Sequence, residues 1–156
     1  MKKIPLTQGK FALVDDEDFA ELSKVKWCVS HYGYATRNFP SKKGGRRILY
    51  MHRVILKAKM KEQCDHINMN GLDNRRENLR ICTRSENKHN SQKYSNNTSG
   101  FKGVTLDKRC GRFVANIKVN SRRIYLGSFA EKSEAALAYN VAALKYHGDF
   151  AQLNKL

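Results

Sequence analysis

Residues 112–126 constrain the fold more than any other stretch of this chain. Phe113, Ala115, Ile117 and Val119 alternate with Arg112, Val114, Asn116 and Lys118, and Ile124 and Leu126 alternate with Arg123 and Tyr125. A period of two, with one apolar and one basic or polar face, is the pattern of a half-exposed antiparallel sheet. Three β-like runs, 101–106, 112–119 and 122–129, are separated by turn residues at 107–111 and 120–121. EKSEAALAYNVAALKYH, residues 131–147, then reads as an alanine-rich helix whose small side chains let it lie close on the sheet. Residues 101–156 are therefore expected to form a three-stranded antiparallel sheet packed on one helix, and the chain as a whole to be α+β.

Upstream, SQKYSNNTSG (91–100) is polar and rich in Asn, Ser and Gly, and reads as a linker. Residues 1–90 form a separate, mixed region. FALV (11–14) is expected to be a strand and DDEDFAELSKV (15–25) a helix with acidic residues in its first turn. HYGYATRN and RRILYMH read as strands on either side of a PSKKGG loop (40–45), and MHRVILKAKM (51–60) turns helical after His52. The expected organisation is 1–90, a linker at 91–100 and 101–156.

The passage CDHINMNGLDNRRENLRICTRSENKHN, Cys64 to Asn90, places an Asp-His pair before five asparagines that precede Lys88. Asparagine is poor in helix and strand interiors because its side chain competes for backbone hydrogen bonds. CDHIN reads as the end of a strand, 68–78 as a loop and LRIC (79–82) as a returning strand. Thr83 and Glu86 then have the spacing of a capping box, which starts a helix carrying Asn87, with Asn90 and Ser91 on the same face. The unit, about 63–92, is strand, loop, strand, helix. Adjacent residues at a strand end point to different sides, so one side chain can face a metal and the next a substrate. Asp65 and Asn87 offer two hard oxygen ligands, which suits Mg²⁺. His66 can take a proton from water near neutral pH. The bland alternative is a structural Asp-His pair beside an ordinary Asn-rich loop.

On the residues DH (65–66), NRRENLR (74–80) and TRSEN (83–87), the segment resembles the HNH endonucleases with a ββα-metal site, in particular phage and intron homing enzymes. The resemblance implies that His66 activates water, that Asp65 and Asn87 hold one divalent cation, and that Asn78 braces the loop and fixes the histidine. The ligand at 87 is Asn where many relatives have His, which argues against tightly held Zn²⁺. His52 is read as a packing or orienting residue, with a phosphate contact as the alternative. His31, His89 and His147 belong to no constellation.

The C-terminal stretches GFKGV, RFVANI, YLGSF, EAALAYNVAA and HGDFAQLN resemble the Apetala-two domain of plant ethylene-response factors. That family sets the exposed face of its sheet in the DNA major groove. By this resemblance Lys102, Asn116, Lys118, Arg123 and Tyr125 fall on DNA-contacting positions, and Arg112 joins them on the same predicted face. Thr105 stands where the plant proteins have a base-reading arginine, so the resemblance supports a docking face and not the plant target sequence.

Charge agrees with a polyanionic partner. Lys and Arg number 30 against 14 Asp and Glu, a net +16, well above the ~2–8 that solubility asks of a small domain. No apolar run approaches the ~18 residues of a membrane span, and no signal peptide is recognisable. The four cysteines (Cys28, Cys64, Cys82, Cys110) form no CxxC pair, so no structural zinc is expected. They read as reduced, buried thiols of an intracellular, cytoplasmic protein. The resulting expectation is a sequence-preferring, Mg²⁺-dependent (or Mn²⁺-dependent) endonuclease on double-stranded DNA, monomeric, nicking one strand, with no obligate protein partner. The alternatives are a non-catalytic DNA-binding regulator with a decayed nuclease fold, and an RNA-binding structural module, which fits the charge but not the Asp-His site.

Overall fold

A computed structural model describes residues 1–41, 44–93 and 96–156. Lys42 and Lys43 of the predicted 40–45 loop, and Tyr94 and Ser95 of the predicted linker, lie outside the described residues. The elements are β1 (Lys2–Pro5), β2 (Phe11–Val14), α1 (Asp16–Leu22), β3 (Cys28–Val29), β4 (Ala35–Pro40), β5 (Arg46–Tyr50), α2 (Met51–Ile55), β6 (Gln63–His66), β7 (Leu79–Cys82), α3 (Arg84–His89), β8 (Val104–Asp107), β9 (Arg112–Val119), β10 (Arg122–Phe129) and α4 (Lys132–His147). The class is α+β. The strands make two antiparallel pairs, β1–β2 and β6–β7, and two antiparallel sheets, β3–β4–β5 and β8–β9–β10. The chain divides into two units, Met1–Asn87 and Lys88–Leu156.

In the first unit the apolar residues of most short elements meet in one core: Ile4, Leu6, Ala12, Val14, Leu22, Trp27, Ala35, Met51, Ile55 and Leu79. Trp27 closes it and donates its indole N–H to the carbonyl of Leu22 at 2.8 Å, so the buried ring leaves no orphaned donor. The N-terminal strand pair and α1 do a second job. Leu13 exchanges backbone hydrogen bonds with Leu72 and Asn74, both 2.8 Å, so the 68–78 loop is stitched to β2. Asp15 accepts the Arg76 backbone N–H at 2.7 Å, and Asp18 takes the Arg76 guanidinium in a two-pronged pair. Thus residues 1–22 are structural supports of the loop.

The second unit follows from the 112–126 alternation. Ala115 and Ile117 of β9 are buried against Ala135, Ala136, Tyr139, Ala142 and Ala143 of α4. Gly103 shows why the approach is close. A Cβ there would lie 2.0 Å from the Tyr139 ring and 2.8 Å from the Asn116 carbonyl, and φ is +77°. Asn154 ties the tail to this corner, bonding both the Lys102 backbone and Asn140.

Several expectations shift. β8 begins at Val104, after a turn at Phe101–Gly103, and β4 begins at Ala35, after a turn at 31–33. α2 already includes Met51 and His52. β1 and the two-residue β3 were not expected. α3 ends at His89, so Asn90 and Ser91 lie past it. Among the described linker residues, Ser99 is buried and donates to the Val104 carbonyl at 2.7 Å, so its C-terminal end is part of the second unit. Cys28 and Cys110 are exposed, contrary to four buried thiols, and all four cysteines are free.

Candidate active site and nucleic-acid interface

β6 and β7 pair antiparallel, with Gln63 opposite Cys82, Asp65 opposite Arg80 and His66 opposite Leu79. The period of two sends Gln63 and Asp65 to one face and His66 to the other. The helix start adds the third group. Thr83 and Glu86 cap α3 reciprocally: the Thr83 N–H donates to Glu86 Oε2 at 2.8 Å and the Glu86 N–H to Thr83 Oγ1 at 3.3 Å. This cap delivers Asn87, whose Nδ2 donates to Gln63 Oε1 at 2.9 Å. The amide nitrogen is engaged by Gln63, so the carbonyl oxygen is the end Asn87 has to offer a cation. Gln63 therefore brings Asn87 to the Asp65 face of β6, a role the sequence reading did not give it.

Asp65 and His66 are both buried, at 6% and 5% exposure. Arg80, directly across the ladder, donates to Asp65 Oδ2 through Nε (2.9 Å) and Nη2 (2.7 Å). The donor set at this face is thus one carboxylate, already partly neutralised, and one amide oxygen. It fits a hard, water-rich, weakly held cation and does not fit zinc. Among the described residues no three His, Cys, Asp or Glu side chains gather as a metal cage.

Burial pulls the His66 pKa down from its usual value, while a hydrogen-bond interaction with Asn74 and the charges of Asp65 and Asp73 hold it up. The imidazole is accordingly neutral near pH 7, the form a base needs. Asn78 is a loop brace: its Nδ2 donates to the Asp73 carbonyl at 2.7 Å and its Oδ1 accepts the Asn68 N–H at 2.9 Å. Asp73, almost fully buried, is clamped by Arg75 and Asn68. Asn68, Asn70 and Asn78 thus serve an irregular loop whose polar backbone would otherwise be unsatisfied. The groups acting on the His66 ring from this loop are Asn74 and Asp73, which the sequence reading did not single out.

Three rings, His52, Tyr34 and Tyr50, cluster with His66. His52 lies edge-on to it, with centroids 5.0 Å apart at 89°, and stacks on Tyr50 at 5.3 Å. Tyr34 is 5.6 Å from His52 and 5.7 Å from His66. His52 is itself buried, and its pKa is pushed down to about 4 by burial first and then by His66 and Arg53. Of its two alternative readings, the packed one matches this placement.

On the second unit, the outer sheet face carries Arg112, Asn116 and Lys118 from β9 and Arg123 and Tyr125 from β10. Arg123 sits opposite Lys118 and Tyr125 opposite Asn116. A bulge between Tyr125 and Gly127 brings Ser128 opposite Val114, and Arg112 reaches across to the Ser128 hydroxyl and carbonyl. Lys102 is set apart from this face. Its ammonium donates to the carbonyls of His89 and Ser91, both at 2.6 Å, and burial lowers its pKa to about 8. His89 and His147 are not isolated either: their rings stack with centroids 3.7 Å apart.

Residues 99–149 match the family model described as the AP2 domain. Over 151 residues, 96% of this chain and 77% of the relative, the chain is 28% identical to an "uncharacterized HNH endonuclease" of Acanthamoeba polyphaga mimivirus. It is 39% identical over 67 residues to an AP2-like ethylene-responsive transcription factor of Arabidopsis thaliana, covering 36% of this chain and 14% of that protein. It is 32% identical over 108 residues to an APETALA2-like protein of Oryza sativa subsp. indica, covering 65% of this chain and 25% of that protein. The chain thus spans most of the viral relative and a small part of each plant one.

Proposed function

We propose that this chain, whose residues 99–149 match the AP2 domain family, is a sequence-preferring HNH-type DNA endonuclease, which docks on duplex DNA through the β9–β10 face and cuts with His66. The observation that carries this reading is the β6–β7–α3 arrangement: Gln63 holds Asn87 on the face of β6 that bears Asp65, and His66 follows in the same strand. The viral relative named as an HNH endonuclease, similar over nearly the whole chain, supports it.

His66, neutral at pH 7, accepts a proton from a water molecule. The water oxygen forms a bond to phosphorus, and the bond from phosphorus to the ester oxygen breaks. A single Mg²⁺ or Mn²⁺, when held by Asp65 and Asn87, supplies positive charge against the charge developing on the phosphate and the leaving oxygen. Asn78, Asp73 and Arg75 keep the loop rigid around this centre, and residues 13–18 keep the loop in place. One such centre cuts one strand, so the monomer nicks. On this reading the chemistry belongs to the first unit, Met1–Asn87, and the DNA reader to the second, Lys88–Leu156.

One observation favours a second reading, a non-catalytic DNA-binding regulator. Arg80 already neutralises Asp65, as it would in a nuclease fold that has lost its cation. Nicking of supercoiled plasmid with and without Mg²⁺ separates the two. Mg²⁺-dependent nicking that disappears in His66→Ala is the expected result. Tight duplex binding with no nicking by the unmodified chain in Mg²⁺ or Mn²⁺ would leave the regulator.

A further inference from the structure

We infer that His52 is a positioning residue for the base, and that it acts through its ring. The inference deepens the nuclease reading and rests on it for its catalytic consequence. A histidine at a strand end has two soft side-chain torsions, the second of them broad. Here both are restricted by neighbouring rings. His52 stands perpendicular to His66 with centroids 5.0 Å apart, and Tyr34 lies 5.7 Å from the same imidazole. His52 is in turn stacked on Tyr50 at 5.3 Å, which restricts its rotation.

The box is fixed on two further sides. Gly71 lets the 68–78 loop come against Tyr34: a Cβ at Gly71 would lie 2.7 Å from Tyr34 Cδ1 and 2.7 Å from the Gly33 carbonyl. Next to His52, Arg53 donates to the carbonyls of Glu62 (2.8 Å), Lys59 (2.7 Å) and Ala58 (3.4 Å), which pins the segment entering β6. The short helix α2 therefore sets both the start of the active-site strand and the ring at its end. His52 Nδ1 is buried and has no hydrogen bond among the described residues. No described residue uses that nitrogen, and the placement rests on ring contacts, so an aromatic ring of similar size should serve.

The test compares His52→Ala and His52→Phe in the full chain by single-turnover nicking at saturating protein, DNA affinity and proton NMR of the ring contacts. The expected result is a rate loss of about 10²-fold in His52→Ala, the scale of a small misplacement of a catalytic group, with unchanged affinity. His52→Phe should stay close to the unmodified rate and keep the Tyr34–His66 ring contact that His52→Ala loses. Equal loss in Phe and Ala would show that a nitrogen is needed, as for a phosphate contact, and overturn the inference. So would an unimpaired Ala variant. If His52→Ala does not fold, His52→Phe decides by the same criterion. If the unmodified chain does not nick DNA, the nuclease reading fails, and the Tyr34–His66 contact in the variants still decides whether His52 holds the ring.

Discussion

At the scale of single residues, chemistry and binding should separate at His66. His66→Ala is expected to lose about 10²–10⁴-fold in cleavage rate, the usual scale for a general base, with duplex affinity retained. Because burial lowers its pKa, the rate should climb with pH below the ordinary histidine range and be level by pH 7. A rate that goes on rising in proportion to hydroxide above pH 7 would exclude His66 as the titrating base. His52 predicts a stability effect of definite sign. Folded, its pKa is near 4; unfolded, near the ordinary 6.5. Between those values the unfolded chain binds the extra proton, so stability falls as pH drops from about 6.5 towards 4. The loss attributable to this group is at most ~3 kcal/mol. Urea denaturation at pH 7 and pH 5 measures it, and His52→Phe should reduce the difference. The cation proposal is also tested here. EDTA should stop cleavage, and Asp65→Ala should lose more activity than Asn87→Ala because it removes the charged ligand.

At the scale of elements, Gly103 is a point of close approach to α4 in the second unit. Gly103→Ala should destabilise that unit by roughly 2–4 kcal/mol, from overpacking against Tyr139 and a positive φ together. Thermal unfolding of the variant checks it, and a change below ~1 kcal/mol would mean that the sheet shifts freely over α4. The same elements show what was legible beforehand. β7, the α3 cap, β9, β10 and α4 were readable because each is specified by residues close in sequence: an alternation, a Thr-x-x-Glu box, an alanine run. β1 was not. KKIP becomes a strand only because β2 is there to pair with it, and a proline and two lysines suit an edge. In the candidate site, Asp65, His66, Asn78 and Asn87 stood out by residue type. Gln63, Asn74 and Gly71 did not, because their roles lie in contacts with distant parts of the chain. Lys102 was read by resemblance as a DNA-contacting position, and only the structure shows its ammonium bonded to the carbonyls of His89 and Ser91.

At the scale of the whole molecule, the +16 charge predicts strongly salt-dependent binding. With about 6–10 phosphate contacts, affinity should fall ~10³–10⁵-fold between about 50 and 200 mM salt. A flat response would assign the charge to something other than DNA. The second unit should decide where cleavage occurs and not whether it can occur. Truncation after Asn97 should leave Mg²⁺-dependent nicking at high protein concentration with weaker, less selective binding. Cleavage maps of the two proteins on one long DNA test this, and identical maps with identical affinities would remove the reader role. No helix among the described residues is long and apolar enough to cross a membrane.

The clamp of Asp15 and Asp18 on Arg76 has a consequence for how the site comes into being. These partners are separated by 61 and 58 residues along the chain. Closing so long a loop is entropically costly until the intervening elements have collapsed. The local pieces, the β6–β7 hairpin and the capped helix, can form early, but the 68–78 loop gains its anchor only when the first strand pair and α1 dock. Competence is therefore a late event in refolding. After dilution from urea, secondary structure should recover before activity does, and Arg76→Ala should widen that lag more than it lowers the final yield.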